Sequence, residues 1–250
     1  GLGPPPLPPQ QRMRVERVSL EPTRAVATGV DAELRSSVSV LEAFATTLTF
    51  EGNERATFHE QARRVLGTQP TWAGMSLTDS AGTRVADTRY PPGANLPPIA
   101  ERESLDQVMR TGAPAIGSLA RSARGPLLFA VRVPLRRGAA LQYVLSASVR
   151  PEEIRDVITR QQVPPDWVVS IFDQRGQRVA RSRAHEESLG GPASPSLQAL
   201  LPRDVTEGGG PTSTLEGERI YTPYVRLAPS GWTPALGLPA AVVEGAVYRS

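Results

Sequence analysis

Residues Trp72 to Arg89 read WAGMSLTDSAGTRVADTR, and Trp167 to Arg183 read WVVSIFDQRGQRVARSR. The matches keep one offset: Asp79/Asp173, Gly82/Gly176, Val85/Val179, Ala86/Ala180 and Arg89/Arg183 each lie 94 residues apart, and only the Trp pair slips, by one. Self-similarity at a fixed offset marks a repeated structural unit, and two copies, too few for a solenoid, imply two sister modules. Each copy reads as strand, tight turn, strand. Asp at the first turn position can accept a bond from the backbone two residues on, and Gly at the fourth suits a type I turn. Val131/Val225 and Arg132/Arg226 keep the same offset. They extend the repeat into later strands and give Arg132 a structural reading beside any binding one.

The rest of the chain arranges itself around these hairpins. Residues 1–21 are expected to be an extended, proline-rich lead-in. Pro22 suits a first helical turn. From there Val26, Val30, Leu34, Val38, Leu41, Phe44 and Leu48 recur at spacings of three and four, one face of a long helix that Glu51-Gly52-Asn53 ends. A second helix spans about 54–66, so 22–66 is a helical segment. The first module, 67–163, continues after its hairpin with a proline-rich loop, a helix over 99–110, strands over 115–121, 127–134 and 141–149, and a helix that Pro151 opens. Pro164-Pro165 marks the boundary. The second module, 164–238, repeats the order, with a short helix near 194–201 and a flexible loop at Gly208-Gly209-Gly210. A helix over 239–250 closes the chain. Both ends read as cut from something longer.

Composition removes several functions. There is no cysteine, hence no disulfide, thiol catalysis or ordinary structural zinc site. The net charge is only +3, and the arginines are scattered near Asp or Glu. With no nucleic-acid motif, nucleic acid is not an expected partner. No run of about 18 apolar residues crosses a membrane. Catalytic patterns are missing too. HEQAR at His59 lacks the second His of HExxH, no G-x-S-x-G occurs, and the triple Gly has no Lys-Ser/Thr after it. His59 reads as exposed helix surface and His185 as a solvated loop residue. Asp79 and Asp173 read as turn residues rather than an acid–base pair. No cofactor and no enzymatic activity are expected of this segment.

The order helix, then twice strand–D-x-x-G–strand–helix–three strands, resembles the double Cache ectodomain of bacterial transmembrane receptors. LTDSAGTRVADTR, LLFAVRVPL with YVLSASVRPEEI, IFDQRGQRVARSR and SGWTPALGLP carry the likeness over about 22–250. The resemblance implies an α+β fold: a long N-terminal helix and two PAS-like modules, each a five-stranded antiparallel sheet flanked by helices. It implies a periplasmic or extracellular position between membrane helices outside these 250 residues, a homodimeric receptor, and ligand binding in the first, membrane-distal module. LPPI…LDQVMRTG and QQVPPDWVVSIFDQRG look most like ectodomains of sensor histidine kinases. Chemoreceptors and cyclic-di-GMP enzymes carry the same ectodomain, and a ligand-less module contacting a partner protein is a further alternative.

Amino-acid-binding members of that family carry Arg-x-Trp-Tyr near the module's helix and an Asp late in its last strand. Here PPIAERESLDQVMRTG lacks the motif, and Ser148 stands nearest the Asp position. The expected ligand is therefore a small organic anion such as a carboxylate. Arginine's planar fork donates two parallel bonds to such a group. The candidate contacts are Arg89, Arg121 and Arg132, with Tyr143 and Ser148 as polar contacts; solvated arginines and a core tyrosine are the competing reading. Trp72, Trp167 and Trp232 read as core rings.

Overall fold

A computed structural model describes residues 5–50, 54–201 and 205–248. Gly1–Pro4 of the lead-in and the helix stop at 51–53 lie outside the described residues. The chain forms two compact units, Ala32–Glu153 and Gly1–Asp31 with Ile154–Ser250. Each is mixed α+β around one antiparallel sheet.

Helix α1 runs from Pro9 to Thr47, so residues 9–21 are helical rather than extended, and Pro22 lies inside the helix instead of opening it. The sequence shows why the helix reaches back. Val15, Ser19 and Thr23 continue the stripe of Val26, Val30 and Leu34 at spacings of three and four, and all are buried. The Ser19 and Thr23 hydroxyls donate to the carbonyls four residues back, Val15 and Ser19, each at 2.6 Å, so these buried polar groups are satisfied within the helix. Among the described residues no helix is long and apolar enough to cross a membrane.

In the Ala32–Glu153 unit, α2 (Glu54–Leu66) precedes β1 (Trp72–Asp79), β2 (Arg84–Asp87), α3 (Glu103–Thr111), β3 (Ala115–Ile116), β4 (Ala120–Arg121), β5 (Leu127–Arg137) and β6 (Ala140–Val149). The order is β2-β1-β6-β5-β3, with β4 also on β5. The strand expected over 115–121 is thus two short pieces. The helix expected from Ile99 starts only at Glu103, because Glu101 folds over its first turn and accepts from Ser104 N at 2.6 Å. Strand alternation divides the sheet. Val144 packs with Leu105 and Val108 of α3 on one face. Tyr143 meets Phe50 and Glu54 on the other.

The second unit contains α4 (Glu152–Arg160), which begins at the unit boundary, then β7 (Val168–Phe172), β8 (Arg178–Arg181), α5 (His185–Ser188), α6 (Pro195–Leu200), β9 (Glu207–Ser213), β10 (Arg219–Val225), β11 (Thr233–Pro239) and α7 (Ala240–Tyr248). Its order is β8-β7-β11-β10-β9. Gly208-Gly210, expected as a flexible loop, lies within β9. Glycine serves close packing there: a Cβ on Gly208 would lie 2.6 Å from the Tyr224 hydroxyl oxygen, and one on Gly210 would lie 2.8 Å from Leu200.

The repeat is exact in register. Ser76 pairs with Asp87 and Leu77 with Ala86, then the register shifts so that Thr78 pairs with Arg84. Ser170 pairs with Arg181 and Ile171 with Ala180, then Phe172 with Arg178 after the same shift. One extra residue per hairpin, Val85 or Val179, makes a β-bulge. The bulge puts Arg84 on the same face as Asp87, which simple alternation would forbid. The turns form as expected: Asp79 Oδ1 accepts from the backbone of Ala81 and Thr83, and Asp173 Oδ1 from Arg175 and Gln177. Gly82 and Gly176 adopt φ of 83° and 77°.

Candidate functional site

A cavity of about 70 Å³ lies on the α3 face of the first sheet, lined by Ser76, Arg84, Arg89, Tyr90, Pro97–Glu101, Arg132, Ser146 and Ser148 among others. At roughly 10–15 Å³ per enclosed water, it has room for a molecule the size of about five waters.

Its chemistry comes from the β1–β2 hairpin. Asp87 is fully buried, and Arg89 grips it through Nε at 3.1 Å, Nη2 at 2.8 Å and its own backbone N at 2.9 Å. Arg84 Nη1 adds a fourth donor at 3.0 Å. Arg84 Nη2 donates to the Pro97 carbonyl, while its Nε is buried with no acceptor among the described residues. Burial lowers the Arg84 pKa, partly offset by Asp87. Burial also pulls on Arg89, but the Asp87 bonds outweigh it and raise that pKa. Gly74 of β1 makes room for this arrangement, since a Cβ there would lie 2.7 Å from Arg89 Cγ.

Arg132 is buried on the same face. Its Nε donates to Ser104 Oγ at 2.8 Å, Nη1 to Ser146 Oγ at 3.0 Å and Nη2 to the Glu101 carbonyl at 2.8 Å. Burial lowers its pKa against the pull of the Glu101 carboxylate, 3.7 Å away. Three guanidiniums thus face two carboxylates. Asp87 already accepts four bonds, and Glu101 already serves Ser104 and Arg132. The surplus is one positive charge, and the group left without a partner is a donor.

The structure brings Arg89, Arg132 and Ser148 together around this cavity and leaves the other two candidates out. Arg121 is exposed and donates to the Gly125 carbonyl. Tyr143 lies on the opposite face, where its hydroxyl donates to Glu54 Oε1 at 2.7 Å; burial and that carboxylate push its pKa up to about 12. Period-two alternation separates Tyr143 from Ser148, so the two could not both face one pocket. Sequence reasoning missed Arg84 and Tyr90. Arg84 was detectable: it lies 94 residues before Arg178 in the same repeat. The pairing of Arg132 with Arg226 does not survive in register. Arg132 pairs with Ser146, which pairs with Ser76; in the second sheet the chain from Ser170 through Ala235 ends on Tyr224. His185 is buried rather than solvated and accepts from Arg181 N at 3.3 Å. His59 is half-buried, and burial lowers its pKa.

Solved structures share this architecture. The extracellular domain of mmHK1S-Z3, named as a histidine kinase, superposes with a TM-score of 0.70 at 14% identity, over 97% of this chain and 100% of that one. The chain shares the fold of that extracellular domain. The extracellular domain of rpHK1S-Z16, also named as a histidine kinase, gives 0.67 at 13% identity, over 94% and 95% of the two chains. The ligand-binding domain of the Pseudomonas aeruginosa PAO1 amino-acid chemoreceptor PctB, in complex with L-Arg, gives 0.67 at 14%, over 88% and 93%. No family model matches the chain, and no curated protein does.

Proposed function

We propose that this chain is the extracytoplasmic ligand-sensing domain of a transmembrane receptor, and that the Ala32–Glu153 unit binds a small organic anion in the cavity beside Arg84 and Arg89. One observation carries the reading: a buried cavity with a surplus cation, an unpartnered Arg84 Nε, and two carboxylates whose bonds are already taken. A ligand carboxylate accepts from the arginines that line the cavity, Arg84 and Arg89, with Ser76 and Ser148 at hand. A ligand ammonium finds no free acid. The domain signals by differential affinity for two arrangements of the receptor, the only way a ligand can bias a switch. The histidine-kinase output rests on the likeness of LPPI…LDQVMRTG and QQVPPDWVVSIFDQRG to such ectodomains; histidine-kinase and chemoreceptor domains both align over nearly their whole length. The receptor is read as a homodimer anchored by membrane helices outside these residues.

The test is a thermal-shift panel of two- to four-carbon mono- and dicarboxylates beside their amino-acid analogues, followed by calorimetry on Arg84→Met and Arg89→Met. Carboxylates should stabilise, by about 2.7 kcal/mol at 100 times Kd, and both variants should weaken binding at least tenfold. Stabilisation by amino acids alone would overturn the anion reading.

A further inference from the structure

The second unit has its own cavity, to which the sequence assigns no role. It measures about 30 Å³ and is lined by Ser170, Arg178, Arg181, Ser194, Thr212 and Thr222 among others. Two of them hold positions that line the first cavity. Arg178 stands where Arg84 stands, Ser170 where Ser76 stands, and the bulge that aims the arginine is repeated.

One position differs in charge. Asp87, the carboxylate that satisfies Arg84, is replaced in the repeat by Arg181. Arg178 and Arg181 are each only 2% exposed. Arg181 has its own partner, a bidentate pair with Glu216 at 2.8 Å through both Nη atoms. Arg178 has none. Its Nη1 donates to the Pro192 carbonyl at 3.1 Å and more weakly to the Ser188 carbonyl, and its Nε is buried with no acceptor among the described residues. Its guanidinium lies 5.0 Å over the Phe172 ring, which fixes its plane. Burial, and then the neighbouring Arg181 cation, depress Arg178 to about 10, so it is still charged at neutral pH. A buried cation facing a second cation is strongly unfavourable without a counter-charge. Two guanidiniums and one carboxylate leave a surplus of one positive charge, beside a cavity lined by hydroxyls.

We propose that this cavity is a second, independent binding site, for a small monovalent anion of about acetate size or less, held by Arg178 and the Ser170 hydroxyl in place of the carboxylate that Asp87 supplies in the first unit. The volume, about two waters at 10–15 Å³ each, sets the size. The unit surplus of charge sets the valence. The guanidinium fork favours a planar oxyanion such as formate, acetate or nitrate. An amino acid is too large.

The experiment compares thermal unfolding of the whole chain in sodium formate, acetate, nitrate and gluconate at constant ionic strength, with calorimetric titration of formate and acetate. Bromide-soaked crystals provide a direct view. Formate, acetate and nitrate should raise Tm over gluconate, Arg178→Met should weaken binding at least tenfold, Ser170→Val should weaken it severalfold, and an anomalous bromide peak should lie at Arg178. Arg84→Met removes the first cavity's share of the carboxylate response but should leave the bromide peak at Arg178 and the part of the response lost in Arg178→Met intact, which separates the two cavities. The proposal fails if wild-type Tm is the same in all four salts, or if Ser170→Val and Arg178→Met respond like wild type. It also fails if bromide sits only elsewhere. Should Arg178→Met not fold, the wild-type salt series, Ser170→Val and the bromide position still decide.

Discussion

Asp87 and Arg181 occupy one register position in two copies of the same hairpin, opposite Ser76 and Ser170, with opposite charge. The first copy carries an internal carboxylate that clamps two arginines; the second sets two arginines side by side. A difference at one repeat position therefore separates a cavity with its own counter-ion from one that lacks it.

The clamp should be costly to break. Asp87→Asn leaves Arg84 and Arg89 buried without their carboxylate, and removing one partner of a buried ion pair typically costs about 3–5 kcal/mol. Denaturant unfolding should show a loss of that order. A variant as stable as wild type would contradict the clamp.

Gly74 tests whether the position of Arg89, rather than its presence, matters. In Gly74→Ala the new methyl would lie 2.7 Å from Arg89 Cγ and 3.0 Å from Thr88 Oγ1. Overpacking of this kind costs about 1–3 kcal/mol. Once a ligand for the first cavity is in hand, calorimetry should show weaker binding in Gly74→Ala although every charged group is retained.

Glu153 should make stability depend on pH. Its carboxyl is buried and accepts from Thr71 Oγ1 at 2.8 Å and, more weakly, from Ser37. Burial outweighs these bonds and, with the nearby Glu33 charge, pushes the pKa up to about 7. The native state then holds the proton more tightly than the unfolded chain. This group's contribution is greatest below the ordinary carboxylate range and falls as pH rises to about 7. The span corresponds to on the order of 3 kcal/mol. Glu153→Gln removes the titrating group. Its stability relative to wild type should climb between about pH 4.5 and 7 and then level off; parallel curves across that window would refute the assignment.

Trp232 is fully buried, and its indole N–H donates to Gln174 Oε1 at 2.9 Å. Trp232→Ala should cost about 3–5 kcal/mol in urea unfolding. Trp167, half-buried, should cost less on the same substitution.

The architecture was largely legible because the repeat, the turn residues and the helical stripe are local patterns. Turn glycines at 82 and 176 announce their backbone by type. The start of α1 was not legible, because Pro22 normally opens a helix, while buried Ser19 and Thr23 disguise the apolar stripe that continues to Val15. Of the expected contacts, Arg89, Arg132 and Ser148 line the first cavity. Arg89 and Ser148 followed from placing a pocket beside the first hairpin. Tyr143 failed on strand parity, which the sequence did contain. The repeat marked Arg84 as a shared position, but the face it serves was hidden, because a bulge invisible in composition decides it. The Arg132/Arg226 pairing failed because strand register, not sequence offset, aligns the later strands.

The bulge at Val85 and Val179 has a consequence for how such a receptor can change over generations. It fixes where the cation points through chain length alone, so the residue three positions on is free to vary without rebuilding the sheet. Point substitution at 87 or 181 can swap a built-in counter-ion for a vacancy that a solute must fill. Loss of the single valine would restore plain alternation and leave the arginine opposite the same partner, so the pairing that sets the charge of the cavity survives with or without the bulge.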